Sequence, residues 1–329
     1  MMKMRLKHTK DYSIQVRKMH KNIPTSFKSI LVLFDLLKNI NQKDVQYLKQ
    51  LYSKNAEDFE SCLALFSSLN LIKIDFGQIE LVPSLKKFIL RQPPENEIKE
   101  FIINKLLNKT NTYIWEYLRK FSLSEDKIVF QPIVSENLRF SNLRNLLIEL
   151  DFVSYNQAER FYEISDKYLS FFYDLVINDK ISPEKLKQII KQREEIGKYA
   201  ELEAVAYEKT RLSFNKDLSS KIEHVSLKDT SAGYDIKSFS VEDNVVSERF
   251  IEVKAISAIE MKFFMSRNEV EKSKHYGNNY YLYLLPVLGK NKFDLNKLLI
   301  FQDPYDTIFN SNKWQVTCNQ FEITFNERD

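Results

Sequence analysis

The segment GYDIKSFSVEDNVVSERFIEVK, residues 233–254, most constrains how this chain can fold. It holds two runs in which apolar and polar residues alternate, separated by a polar, charged stretch from Val241 to Glu248. Such a pair predicts a β-hairpin, with that stretch as its turn. Asp235 falls on the first strand, Glu252 and Lys254 on the second. Side chains two apart on a strand share a face, so Glu252 and Lys254 project together. A hairpin in register brings Asp235 beside them. Two carboxylates converging with an ammonium suit a hard divalent cation and an activated water. A charge on so apolar a strand is costly to bury unless it is paired or metal-bound. The same residues also permit a plain Glu–Lys ion pair on the open face of a sheet.

Glu-x-Lys alone carries little information, because Glu97/Lys99, Glu125/Lys127 and Glu260/Lys262 share it. Only Glu252/Lys254 lies inside a β-branched run preceded by an aspartate-bearing strand. Upstream, a helical pattern runs from about Ser182 to Phe214, with Pro183 in its first turn. On it Glu201, Val205 and Glu208 fall on one face. Downstream, SRNEVEKSKHYG reads as a short helix with Ser266 and Glu269 as a capping box. Two β-type runs follow, YYLYLLPVL and KLLIFQDP. The four histidines (His8, His20, His224, His275) are scattered, and Cys62 and Cys318 lack zinc-site spacing. His224 is expected to serve packing or hairpin polarity.

This order of helix, three strands, helix and further strands resembles the PD-(D/E)XK nuclease superfamily. It is closer still to the Mrr-like domain at the C-terminus of the plant NO VEIN protein and in many bacterial defence proteins. The matching pieces are GKYAE with the later YE, the EHVS strand, GYDI, RFIEVK, SRNE, YYLYLLPV and Asp303-Pro304, spanning about residues 182–306. The resemblance implies Asp235 and Glu252 as metal ligands, Lys254 beside the nucleophilic water, and Glu201 as the helix-borne acid. Asn268 and Glu269 match the family's polar pair, Asn268 as a nucleic-acid contact; capping explains Glu269 equally well. The Val253 carbonyl is expected to add an oxygen. Mg²⁺ fits such a set, since it prefers oxygen ligands and binds through one or two carboxylates while keeping several waters; Mn²⁺ is expected to substitute. The implied activity is metal-dependent endodeoxyribonuclease, in bacterial defence against foreign DNA.

At 329 residues, two or three domains are expected, and 5 Gly with 8 Pro leave little for long flexible linkers. No run approaches the ~18–20 apolar residues of a membrane span. The basic N-terminus lacks the apolar core of a secretory signal, and two unpaired-looking cysteines suit a reducing compartment, so a cytoplasmic protein is predicted. A net charge of +4 excludes a globally basic, nucleic-acid-coating chain. Residues 1–23 are locally basic, either an arm along phosphates or a solvated terminus. The tail from Asn310 to Asp329 is expected to form closing edge strands.

Ahead of the nuclease-like part, Leu69-Asn70-Leu71-Ile72 parallels Leu150-Asp151-Phe152-Val153, and Ile79-Glu80-Leu81 parallels Tyr162-Glu163-Ile164. Helical patterns precede each block, so two tandem winged-helix-like modules are predicted, residues 24–92 and 95–178. The expected fold class is α+β multidomain, with a winged-helix-like N-terminal half and, over 182–329, an α/β restriction-endonuclease-like domain with a mixed sheet flanked by helices. The third helix of the first module carries Glu57, Asp58 and Glu60, which phosphate repels. That of the second, SENLRFSNLRNLL, offers Arg139, Asn142, Arg144 and Asn145 to base edges. Winged helices also act as protein adaptors. Expected partners are therefore DNA and other protein subunits of a defence system, with a homodimer as one way to supply the two active sites that cutting both strands requires. The alternatives are a non-catalytic binding subunit with a nuclease-like fold and a transcriptional regulator.

Overall fold

The computed structural model of the protein describes residues 25–39, 44–107, 112–124, 127–169, 171–172, 182–243, 245–257, 261–289 and 291–318. The basic arm and the tail beyond 318 lie outside the described residues. The chain divides into two compact units, Met1–Asp179 and Lys180–Asp329.

The first unit opens with helices α1 (Phe27–Asn39), α2 (Val45–Tyr52) and α3 (Phe59–Ser68), then strands β1 (Ile72–Asp75) and β2 (Gln78–Leu81) and helix α4 (Pro83–Leu90). It continues through α5 (Glu95–Leu106), α6 (Thr112–Leu118), β3 (Ser122–Ser124), β4 (Lys127–Phe130), α7 (Val134–Arg139), α8 (Ser141–Glu149), β5 (Val153–Asn156) and β6 (Phe161–Ile164). On α1, Phe27, Ile30, Leu33, Phe34 and Leu37 recur at helical spacing and are buried. Asp44 caps α2, its side chain accepting from the Tyr47 N–H.

The two sequence blocks become equivalent local structures. Asn70 and Asp151 each take left-handed φ, 53° and 59°, just past a helix end. Leu71 N–H donates to Phe66 O and Phe152 N–H to Leu147 O, both 2.9 Å, the 6→1 bond of a Schellman turn. Each turn feeds an antiparallel hairpin, β1–β2 and β5–β6. The surroundings of the second block differ from expectation. SENLRFSNLRNLL is two helices, broken at Phe140, whose buried ring packs on Tyr113 and Tyr117. An additional hairpin, β3–β4, extends β5–β6 into a four-stranded sheet of order β3-β4-β6-β5.

In the second unit, helix α9 (Pro183–Arg211) is capped by Ser182, whose side chain accepts from the Lys185 N–H. It is followed by α10 (Lys216–Ser220), β7 (Glu223–His224), β8 (Ile236–Glu242), β9 (Val245–Ile256), α11 (Arg267–Tyr276), β10 (Tyr280–Gly289), β11 (Lys292–Phe293) and β12 (Leu299–Gln302). The sheet runs β11-β10-β9-β8-β7, with β12 also on β10. It is mixed: β10 lies parallel to β9 after the α11 crossover, and the other pairings are antiparallel. Strand β10 is buried along nearly its whole length, as its unbroken apolar run requires of a strand covered on both faces. One face packs Ile236, Ile251, Val253, Tyr281, Tyr283 and Leu285 against Ala200 and Ala204 of α9. The other holds Ile256, Leu282 and Leu284 with Ile308. Whole-face burial of this kind is the main stabilising term, worth about 1.5–3 kcal/mol per large apolar side chain.

The β8–β9 hairpin differs from expectation at its turn. Pairing continues to Glu242↔Val245, so most of the charged stretch is strand and not turn. Asp243 supplies the left-handed residue, φ 48°, that a tight turn demands. In the tail, no strand occurs between residues 310 and 318. Among the described residues no helix is long and apolar enough to cross a membrane. The protein is α+β, its mixed sheet in the C-terminal unit.

Candidate functional site

The hairpin sets the site. Its last registered pair at the open end is Ile236↔Ile251. Asp235 follows immediately, and its N–H donates to Ile251 O at 2.9 Å. Its side chain turns back into the sheet, Oδ2 accepting from the Val253 N–H at 2.8 Å. The Asp235 carbonyl accepts from Val225 and Ser226 N–H at 2.7 and 3.2 Å. Backbone contacts from two directions therefore fix this residue, and one of them holds its carboxylate. Val253 meets Asp235 through its N–H.

Glu252 is 3 % exposed. Lys254, two residues on, places Nζ 2.5 Å from Glu252 Oε1 and 2.9 Å from Glu269 Oε2. Glu269 stands at the start of α11, where both bonds of the Ser266 capping box are formed. It therefore serves the cap and the lysine together, and the two readings of this residue coexist. Asn268 ties α11 to the loop before Asp235, Nδ2 donating to Ser231 O at 2.8 Å.

Electrostatics follow from this crowding. Burial raises the Asp235 carboxyl above its ordinary range, and the Glu201 charge raises it further. Burial likewise raises Glu252, with Lys254 offsetting part of the rise and Asp235 and Glu269 adding to it. Burial opposes the Lys254 charge, but the Glu252 and Glu269 carboxylates outweigh it and hold the ammonium protonated. Buried acids that repel one another favour either a proton or a cation between them.

The two helix-borne glutamates part company. Glu201 reaches the strand before Asp235, its Oε2 lying 2.6 Å from His224 Nε2 and accepting from Ser226 Oγ. His224, expected to serve only packing or polarity, thus touches a predicted site residue. Ser226 carried no sequence signal beyond its place in EHVS. Glu208 lies in a separate buried network, accepting from Arg211, from Ser238 Oγ at 2.6 Å and from Tyr283 Oη at 2.7 Å. Burial alone would raise this carboxyl, but those hydrogen bonds prevail and hold it below its usual range. It fastens α9 to the sheet.

In the first unit the predicted DNA contacts are tied internally. Arg139 pairs with Glu116 at 2.6 Å, and Arg144 donates to Asn137 O at 2.7 Å while lying over the Tyr162 ring. Asn142 is half-buried on α8 and Asn145 is exposed.

The oxygen donors fit a cation such as Mg²⁺, which needs only one or two carboxylates beside its waters. Asp235 Oδ1 and Glu252 Oε2 accept no hydrogen bond from the described residues. Among those residues, however, no three His, Cys, Asp or Glu side chains gather into a ready-made metal cluster. The family model described as Protein NO VEIN, C-terminal, matches residues 200–298, a stretch that contains Glu201, Asp235, Glu252, Lys254 and Glu269. No curated protein and no solved structure matches the chain.

Proposed function

We propose that the second unit is a metal-dependent endodeoxyribonuclease that hydrolyses DNA phosphodiester bonds. The observation that carries this reading is the convergence of Asp235, Glu252 and Lys254 at the open end of one hairpin, both carboxyls raised by burial. Asp235 and Glu252 would hold Mg²⁺ or Mn²⁺, with Glu201 and the Val253 carbonyl as further oxygens. The ion would lower the pKa of water and polarise a phosphate. Lys254, kept charged by two glutamates, would supply positive charge where negative charge builds on the scissile phosphate. The Asp235 bond to Val253 holds one carboxylate oxygen still, and the other takes no hydrogen bond from the described residues. The match to a NO VEIN C-terminal model supports the assignment and, through the resemblance described above, a setting in bacterial defence.

The first unit is proposed as a winged-helix-like docking half. Because Arg139 and Arg144 are engaged within the unit, a protein partner suits it better than base reading does. One observation favours a second reading, a non-catalytic binding platform: Lys254 is already paired with Glu252 and Glu269, and no three-ligand cluster is assembled.

Incubating plasmid DNA, methylated and unmethylated, with the full chain separates these readings. The nuclease cuts with Mg²⁺ or Mn²⁺, stops with EDTA, and loses cutting but not DNA binding on Lys254→Ala. Binding without cutting under any metal leaves the platform reading.

A further inference from the structure

Resting on that metal-dependent reading, we propose that His224 and Ser226 are positioning residues that aim Glu201 at the metal site. Both donors converge on one oxygen. His224 Nε2 lies 2.6 Å from Glu201 Oε2, and Ser226 Oγ donates to the same atom. With the Glu201 oxygen as acceptor, the contact takes Nε2–H as its donor. Oε1 takes no hydrogen bond from the described residues and is the oxygen left for a cation. Ser226 also ties this contact to Asp235, whose carbonyl accepts from the Ser226 N–H at 3.2 Å.

The short segment that supplies these donors also holds Asp235. Val225 and Ser226 N–H both donate to the Asp235 carbonyl. Ser226 thus grips one acid with its side chain and the other with its backbone. One run of three residues, 224–226, fixes the spacing between a helix-borne and a strand-borne carboxylate.

Docking of the helix does not require this contact. Ala200 and Ala204 already pack α9 on the sheet, and Glu208 bonds Ser238 and Tyr283 further along. A tie spent on one oxygen of an acid beside the hairpin's open end is therefore explained by orientation. Groups behind a metal ligand that fix its orientation typically change metal affinity by about 10–100-fold when removed.

The test measures Mn²⁺ binding to the full chain by calorimetry and by the metal-induced rise in melting temperature, alongside the Mn²⁺ midpoint for plasmid cutting. His224→Phe keeps the ring and loses the donor; Ser226→Ala loses the other; His224→Gln restores an N–H. Weakening of Mn²⁺ binding by about 10-fold or more in His224→Phe, a smaller loss in Ser226→Ala and recovery in His224→Gln are expected. In a Glu201→Gln background, His224→Phe has no further effect on Mn²⁺ binding, which a merely structural role would not produce. Melting in EDTA identifies any variant that fails to fold, and Ser226→Ala then carries the comparison. Wild-type Mn²⁺ affinity in Ser226→Ala and in a folded His224→Phe overturns the positioning role while leaving the nuclease reading intact. A wild-type chain that binds no Mn²⁺ in calorimetry overturns both.

Discussion

Replacing Asp235 with Asn removes a charge and keeps the shape, since the amide oxygen can still accept from Val253 N–H. The wild-type carboxyl is raised from an ordinary 3.8 to about 7 by burial and by Glu201. One pKa unit is worth about 1.4 kcal/mol, so deprotonating this group costs the metal-free fold about 4 kcal/mol. The sign is fixed by linkage. A folded-state value above the unfolded one contributes stability that is complete below about pH 3.8 and is lost as pH rises through about 7. Wild type in EDTA should therefore weaken between those limits, and Asp235→Asn should escape this group's share of the loss. At pH 8 the variant should melt higher, by about 2–4 °C per kcal/mol for a unit of this size. Adding Mn²⁺ should raise the wild-type transition and leave the variant unmoved, because only the charged carboxylate rewards a cation. Thermal unfolding by circular dichroism from pH 4 to 8, with EDTA and with Mn²⁺, measures all of this. An Asp235→Asn chain no more stable than wild type at pH 8 in EDTA refutes the claim that this acid is held at a cost.

Three further outcomes follow from the geometry. Glu208→Gln should destabilise the second unit by about 3–5 kcal/mol in urea unfolding, because Arg211 and Arg249 lose their buried counter-charge. As the folded Glu208 value lies below the ordinary 4.5, its contribution is present above that pH and fades as pH falls through the folded value, so the gap between variant and wild type should narrow in acid. Gly233→Ala places a Cβ 2.6 Å from Lys272 Cγ at a backbone φ of +75° and should cost about 1–3 kcal/mol by the same unfolding measurement, while weakening Mn²⁺ binding through Asp235 two residues on. Arg144→Ala should lower the stability of the first unit by about 1–2 kcal/mol, through lost packing on Tyr162 and a lost bond to Asn137, yet change DNA affinity less than twofold at fixed salt. A loss of about 1–3 kcal/mol in DNA binding for that variant would instead mark a base contact.

Local patterns were legible in the chain because each depends on a few neighbouring residues. The Ser182 and Ser266 caps, the alternation of β8 and β9, the apolar run of β10 and the repeated block ahead of β1 and β5 all form where residue type indicates. Turn length was less legible: the charges between Val241 and Glu248 suggested a loop, but on the exposed half of a long hairpin charged side chains are compatible with strand pairing. The break at Phe140 has no local signal in the sequence, because a buried ring, not a Gly or Pro, marks it. The β3–β4 hairpin rests on sheet partners far along the chain.

From the sequence by itself came the candidates Glu201, Asp235, Glu252 and Lys254, since residue type and strand period suffice to name groups capable of such chemistry. Only tertiary structure decided what surrounds them. It separated Glu201 from Glu208, gave Lys254 a second partner in Glu269, and brought His224 and Ser226 to Glu201 across a gap of 23 and 25 residues. Those contacts join side chains distant in sequence, and which of them meet depends on how helix α9 and the sheet pack, a global property that no local spacing encodes.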